Sequence, residues 1–227
     1  MKVLELFCGT KSFTKVAEAR GHECRTLDID PSFNPTICKD ITDFMPAFDF
    51  PGWHPDLIWA SPPCEAFSTN TIPSNWRDKR WPKSQSAIHA LEVIHTTLEI
   101  IAEIDPKWYV IENPRAMLRN LMPAVFTEDR KTVTYCQYEE GTPEQRRMKP
   151  TDIWTNIPFK PRACNYGDSC HRKTPRGTYF GESYEELAVV PAKLCEEILI
   201  ACELSSSAKL SPAGVKEKDT VNLRREI

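Results

Sequence analysis

Residues 59–68, WASPPCEAFS, set a cysteine directly behind two prolines at the end of an apolar run. Prolines lack a backbone donor and fix their own backbone angle, so they stop a strand and stiffen the turn beyond it. Cys64 therefore stands where the chain leaves a sheet, either as a buried thiol beside a structural turn or as a nucleophile on a rigid support. A second apolar run, WYVIE at 108–112, ends in Glu112 and continues as ENP. Both residues close predicted central strands, so they can face one pocket. A thiolate that adds to an electron-poor ring, with a carboxylic acid protonating the ring nitrogen as charge builds there, needs this pair of groups.

The elements that must position them read as an α/β alternation. KVLELF (2–7) is a buried strand, CGTKS a turn, and 12–20 a helix stopped at Gly21. ECRTLDI (23–29) is a second strand closing on acids, Asp28 and Asp30. Strand, small-residue turn, helix and acid-ended strand open a nucleotide-binding unit. A short element at Ile37–Ile41 and a strand at 56–60 come next. Residues 65–83 are polar and aromatic, interrupted by Pro73 and Pro82, and read as a long functional loop. Ala87, Leu91, Ile94, Leu98 and Ile101 repeat at helical spacing between Ser84 and the stop at Asp105-Pro106. Strands are expected at 132–138 and 151–156 and a last helix at 191–203. The polar stretch from Ser205 to Ile227 has no apolar period and is expected to be mobile.

With 227 residues and 26.0 kDa, the chain suits one domain with at most a small appendage. Hydrophobic residues make up 41% and charged residues 27%, which allows a buried core. A net charge of -3 argues against a uniformly basic nucleic-acid coat but permits a local basic groove. No run approaches ~18 apolar residues, and the opening MKVLELFCGT is too short in apolar run for a signal peptide, so no membrane span and a cytoplasmic location are expected. The nine cysteines are odd in number and mostly sit in apolar stretches, which suits thiols in a reducing compartment. Cys8, Cys24, Cys195 and Cys202 read as small core residues.

Taken singly, the clusters at the strand ends are ambiguous. Gly9 lets backbone approach a ligand, but one glycine equally marks a plain turn. Asp28 suits a ribose hydroxyl pair, or a cap on the next turn.

Taken in order, they resemble the cytosine-5 DNA methyltransferases. LELFCGTKSF resembles the family's donor-binding first motif, LDID its acid-ending second, and KDI (39–41) its third. SPPCEAFS is similar to the nucleophile motif, ENP to the glutamate motif, GTPEQRRMK (141–149) to the glutamine-arginine motif, and AVVPAKL (188–194) to the last. Small phage-type members look nearest. The resemblance implies a Rossmann-like, S-adenosylmethionine-dependent methyltransferase fold of the α/β class, with a mostly parallel sheet and helices on both faces. It further implies S-adenosylmethionine as cofactor, cytosine-containing DNA as partner, and methyl transfer to carbon 5 through a Cys64 adduct on a flipped base. By position, Phe7, Gly9, Asp28, Ile29, Asp40 and Pro62 would hold the donor. Cys64, Glu112, Arg147 and Lys149 would be catalytic, and Pro63, Ser68, Asn113 and Gln145 would meet the base.

The sequence departs from the family pattern in places. Lys11 stands at the usual second glycine, Glu65 at the usual glutamine after the nucleophile, and Lys149 at a usual arginine, where it cannot make the same fork contact. The recognition region is reduced to about 157–184, too short for a domain with its own core. The expected layout is a main catalytic part at 1–156, this insert at 157–184, a closing helix at 185–204 and a tail at 205–227, as a monomer. Such a short region implies loose or very short target specificity. Trp76, Arg77, Lys79, Arg80, Trp81 and Lys83 suit phosphate contact and base stacking, with Arg77 and Arg80 as the substrate contacts, or a solvated loop with anchoring tryptophans. In the insert, Cys164, Cys170 and His171, with Cys136 from a strand, are zinc-ligand types. Their spacing is not a standard paired knuckle, so free surface thiols and no metal are the expectation. Arg172, Lys173 and Arg176 make the insert basic and suit contact with a DNA backbone.

Three alternatives stay open on sequence. The same thiol chemistry could act on RNA, a nucleotide or a modified base, or with another one-carbon donor. An amino-group methyltransferase carries an aromatic after its two prolines, where this chain has Cys64. A degenerate, DNA- or partner-binding relative would fit Lys11.

Overall fold

The computed structural model describes residues 1–78, 80–123, 129–173 and 183–207. Lys79, Arg176 and the tail beyond Ser207 lie outside the described residues. The elements are β1 (Lys2–Leu6), α1 (Ser12–Ala19), β2 (Glu23–Asp28), β3 (Ile37–Cys38), α2 (Pro46–Asp49), β4 (Leu57–Ala60), α3 (Ile72–Asn75), β5 (Trp76–Arg77), β6 (Trp81–Pro82), α4 (Gln85–Ile104), β7 (Trp108–Pro114), β8 (Arg130–Thr134), β9 (Pro150–Thr155), α5 (Tyr184–Ala188) and α6 (Ala192–Ser207).

Seven strands form one sheet in the order β3-β2-β1-β4-β7-β9-β8, and β5 pairs with β6 in a separate hairpin. The first five strands of the sheet run parallel, and β9 runs antiparallel to both neighbours. Buried on both faces, β4 is apolar throughout and β1 is apolar at Val3, Leu4 and Leu6, as suits strands inside a covered parallel sheet. On one face, α4 sets Ile94 and Ile101 into a core with Ile58 and Ile111. On the other, Phe13 of α1 and Leu194, Ile198 and Leu199 of α6 join Val3, Trp59 and Val110. Phe13 stacks on Trp59 with ring centroids 4.4 Å apart. Cys195 and Cys202 are fully buried on α6, as core residues; Cys24 is only partly buried.

Register fixes the site. Leu6 lies opposite Ala60, and Ala60 opposite Ile111, so β1 and β4 end level with Ile111 and β7 runs on to Pro114, which carries Glu112 just beyond their ends. The chain leaves β1 toward one edge through β2 and β3 and returns through β4 toward the other. Ligands in such sheets bind outside the carboxyl ends at this reversal.

Three elements differ from the sequence expectation. The strand expected at 132–138 ends at Thr134 and becomes a 3-10 turn, Tyr135–Gln137. Tyr138 N–H bonds the Tyr135 carbonyl at 2.8 Å, and the turn buries both tyrosines, three positions apart, which an alternating strand would place on opposite faces. The expected loop 65–83 carries a 3-10 turn at Glu65–Phe67, α3 and the β5–β6 hairpin. Its anchor is Trp76, which packs on Phe67 and donates Nε1–H to the Ala66 carbonyl at 2.7 Å. The last helix runs to Ser207, past the expected end, and Lys107, just before β7, donates to Ser206 Oγ at 2.7 Å on its last turn. Among the described residues no helix is long and apolar enough to cross a membrane.

Candidate active site

A cavity of about 350 Å³ opens at the point of reversal, a volume in the range of small-molecule sites. The turn after β1 contributes Phe7 and Gly9, the end of β2 Asp28 and Ile29, and the turn after β3 Asp40. The turn after β4 contributes Pro62, Pro63 and Cys64, and Glu112 and Lys149 complete the far end. These come from separate segments of sequence that only the sheet order brings together.

At the first end, backbone conformation does the shaping. Phe7, Gly9 and Lys11 all have left-handed backbone, with φ of 58°, 43° and 58°. Lys11 thus takes the conformation that the family's usual second glycine supplies freely, at a cost of about 1–2 kcal/mol for a side chain. Its ammonium is tied to the Asn34 carbonyl at 2.6 Å. The tight turn aims Gly9 N–H at Asp28 Oδ2, 2.8 Å away, while Asp30 N–H reaches Asp28 Oδ1 at 2.9 Å. Each carboxylate oxygen keeps acceptor capacity for a further donor. Ile29 lies beside it, 64% exposed, an apolar surface that a flat ring would cover. Asp30 caps the next turn through Ser32 N–H and is not among the cavity residues; Asp40 caps its own turn through Thr42 N–H and does face the cavity. An acid for a diol, an apolar slot for a base and a glycine turn with open space at its Cβ fit a nucleoside-bearing donor such as S-adenosylmethionine.

At the second end, Cys64 begins the 3-10 turn after the two prolines and is half-buried. Burial pushes its thiol up to about 11, with the Lys149 ammonium as the principal opposing charge. Lys149 Nζ bonds the Leu187 carbonyl at 2.9 Å and lies 4.8 Å from the centre of the Tyr135 ring. Glu112 is buried, and Tyr135 O–H donates to its Oε1 at 2.9 Å. Burial and that carboxylate hold the phenol protonated well above its ordinary range, so it remains a donor at any working pH.

Not every expected residue converges. Asn113 is 1% exposed and donates Nδ2–H to the Pro62 carbonyl at 2.9 Å; it braces the proline turn and does not face the cavity. Gln145 Oε1 accepts from Thr142 N–H at 2.8 Å, capping its own turn. Arg147 turns away to Glu139, Nε to Oε1 at 2.9 Å, and to the Glu186 carbonyl at 2.8 Å. The reason is a tight bend in which Lys149 N–H bonds the Arg147 carbonyl at 3.0 Å, so two positions apart no longer means the same side. Ser68 Oγ pairs with Thr71, and Arg77 and Arg80 are exposed on the hairpin, outside the cavity.

Other cavity residues escape the sequence reading. Tyr135 reads in sequence only as an aromatic of the expected strand at 132–138. Val93 and His89 of α4 face the cavity together, an i, i+4 pair visible only once the helix face is known. Glu5 lies inside β1 and accepts Thr14 N–H at 2.9 Å and Phe13 N–H at 3.3 Å, anchoring the start of α1. Burial pushes its carboxyl up to about 7. An acid raised in the fold favours the neutral form, so its contribution to stability is fullest below about 4.5 and declines as pH rises toward 7. Urea unfolding of the wild type should therefore weaken between about pH 5 and 7.5, and Glu5→Gln should flatten that slope. An unchanged slope in the variant would remove Glu5 as its source.

The sheet order and the two-ended cavity suit a transferase with a nucleoside-bearing donor. Residues 1–132 match the family model for C-5 cytosine-specific DNA methylases. The probable DNA (cytosine-5)-methyltransferase of Frog virus 3 (isolate Goorha) is 32% identical over 178 residues, covering 75% of this chain and 78% of that one. The chain belongs to the C-5 cytosine-specific DNA methylase family. Among solved structures, a putative DNA modification methyltransferase encoded within an E. coli prophage aligns with a TM-score of 0.46 at 16% identity, over 68% of this chain and 46% of that one. The Entamoeba histolytica methyltransferase EhMeth aligns at 0.47 and 14% identity, over 77% and 57%. The chain thus spans about half the length of these solved relatives.

Proposed function

We propose that this protein methylates carbon 5 of cytosine in DNA. The observation that carries the proposal is that Cys64 and Glu112 open onto the same cavity as Phe7, Gly9, Asp28 and Ile29. S-adenosylmethionine, when bound, supplies an electrophilic methyl group. Asp28 holds its ribose, Ile29 covers the adenine, Asp40 faces the adenine edge, and Phe7, Gly9 and Pro62 line the methionine side.

Cys64 gives its proton to solvent and its sulfur bonds carbon 6 of the cytosine, opening the carbon 5–carbon 6 double bond, while Glu112 gives a proton to the ring nitrogen. Carbon 5 becomes nucleophilic and takes the methyl, whose bond to the donor's sulfonium sulfur would break and leave a neutral thioether. Loss of the carbon 5 proton to solvent then expels the Cys64 thiolate, and the ring-nitrogen proton returns to Glu112. Lys149 favours the thiolate through its charge, Tyr135 fixes the carboxyl of Glu112, and Asn113 fixes the proline turn that carries the thiol. Because Cys64 is half-buried, a duplex must extrude its base to reach it. Pro63, on the exit from that turn, flanks the extruded base, and Arg77 and Arg80 on the hairpin contact phosphates.

The insert at 157–184 stands in place of a recognition domain, so target specificity is short or loose. The chain acts as a monomer in a reducing, DNA-holding compartment such as the cytoplasm, in keeping with nine cysteines outside any disulfide. A duplex containing 5-fluorocytosine tests the adduct, because fluorine at carbon 5 cannot leave as a proton. With the donor present, it should link covalently to the wild type and not to Cys64→Ala. A wild type that methylates DNA yet forms no such link would overturn the thiol route.

A further inference from the structure

We propose that Cys136, Cys164, Cys170 and His171 form a closed structural zinc site. The four residues come from two separate segments, the 3-10 turn after β8 and the stretch beyond β9. Their ligand atoms all lie within 4.8 Å of one another. Cys136 Sγ is 3.2 Å from Cys164 Sγ and 4.0 Å from Cys170 Sγ. His171 Nδ1 is 3.6 Å and 3.5 Å from the sulfurs of Cys164 and Cys170.

Zinc bonds of about 2.3 Å to sulfur and 2.0 Å to nitrogen, at tetrahedral angles, place sulfurs about 3.8 Å apart and a nitrogen about 3.5 Å from each. The four separations of 3.2, 4.0, 3.6 and 3.5 Å bracket these values, and no pair of ligand atoms is more than 4.8 Å apart. A disulfide would bring two sulfurs to about 2.05 Å, well inside the separations here. Free surface thiols, the expectation from spacing alone, do not describe the cluster either, since Cys136 is 1% and His171 4% exposed.

The surroundings fit a metal as well. His171 Nε2 lies 3.2 Å from the Tyr166 carbonyl. A proton on Nε2 makes that a hydrogen bond and leaves the Nδ1 lone pair facing the sulfurs, the arrangement a metal-bound imidazole needs. Gln137 Nε2–H donates to Cys170 Sγ at 3.1 Å, which suits a thiolate better than a thiol. Zinc binding releases the three thiol protons and leaves the imidazole neutral. Four protein ligands leave no open position, so the site is structural and takes no substrate. Its work is to hold a segment with few buried side chains of its own against β8, where Cys164 N–H already meets Thr134 Oγ1 at 2.9 Å. Cys136 directly succeeds Tyr135, so the metal also braces the turn behind Glu112.

The test is elemental analysis of the full chain, expressed with zinc in the medium and purified without chelator. One zinc per chain is expected. Cobalt exchange should give the visible bands of a tetrahedral thiolate site with sulfur-to-metal charge transfer. Cys170→Ser should lose most of the metal, whereas Cys38→Ser, on β3, should retain it. Folded wild type with neither zinc nor cobalt bands would overturn the proposal, as would full metal retention in Cys170→Ser. An intact mass two units low, marking a Cys136–Cys164 disulfide, would do the same. Because stoichiometry and the cobalt spectrum are read on the wild type, a misfolded variant does not rescue the idea.

Discussion

Cys64→Ser is expected to lower methyl transfer by at least about 10³-fold while leaving donor affinity within about twofold. A serine hydroxyl is a far weaker nucleophile toward an electron-poor ring than a thiolate. Apart from Pro62, the donor end of the cavity is built from the turns after β1, β2 and β3, so it should survive the exchange of sulfur for oxygen. Isothermal titration with S-adenosylmethionine and single-turnover transfer separate the two effects. The thiol also sets a pH dependence. Burial pushes it up to about 11, so the thiolate fraction in the free protein grows about tenfold per pH unit below that value. Transfer at subsaturating DNA should rise with pH across the neutral range, and Lys149→Met should depress it by removing the charge that opposes burial. Undiminished transfer by Cys64→Ser would end the covalent account.

Glu112→Gln should cost about 10²–10⁴-fold in turnover. Glutamine preserves shape, and its carbonyl can still accept the Tyr135 O–H, so the fold should be kept. What it cannot do is deliver a proton to the ring nitrogen while Cys64 adds to carbon 6. The loss should appear in single-turnover rate with little change in donor binding, and the melting temperature should stay close to wild type. Tyr135→Phe should fall between, about tenfold slower, because it frees the carboxyl without removing it. A Glu112→Gln enzyme within a few-fold of wild type would mean that the carboxyl only shapes the pocket.

Much of this arrangement is legible in the sequence because its signals are local. WASPPC and IENP mark strand ends by apolar runs that stop at prolines, and strand ends are where α/β sheets place chemistry. LFCGT and LDID carry their turn and acid within a few residues of each other. The illegible parts depend on relations between distant segments. Gln145 and Arg147 share a motif with Lys149, yet a bend between Arg147 and Lys149 sends only the lysine to the cavity. Asn113 sits beside Glu112, but strand alternation turns it to the proline turn. Tyr135 looks like a core aromatic and is one, apart from the hydroxyl that meets Glu112. The cysteine cluster is the clearest case. Its spacing fits no familiar zinc pattern because one sulfur comes from a turn 28 positions before the next, and only the fold brings them together.

The most direct measurement of the central claim is transfer of labelled methyl from S-adenosylmethionine to a mixed-sequence duplex, with mass analysis of the released nucleosides. Label in 5-methylcytosine and in no other nucleoside is the expected result. Label on an exocyclic amino group, or donor bound tightly with no methyl reaching cytosine in any DNA, would contradict it.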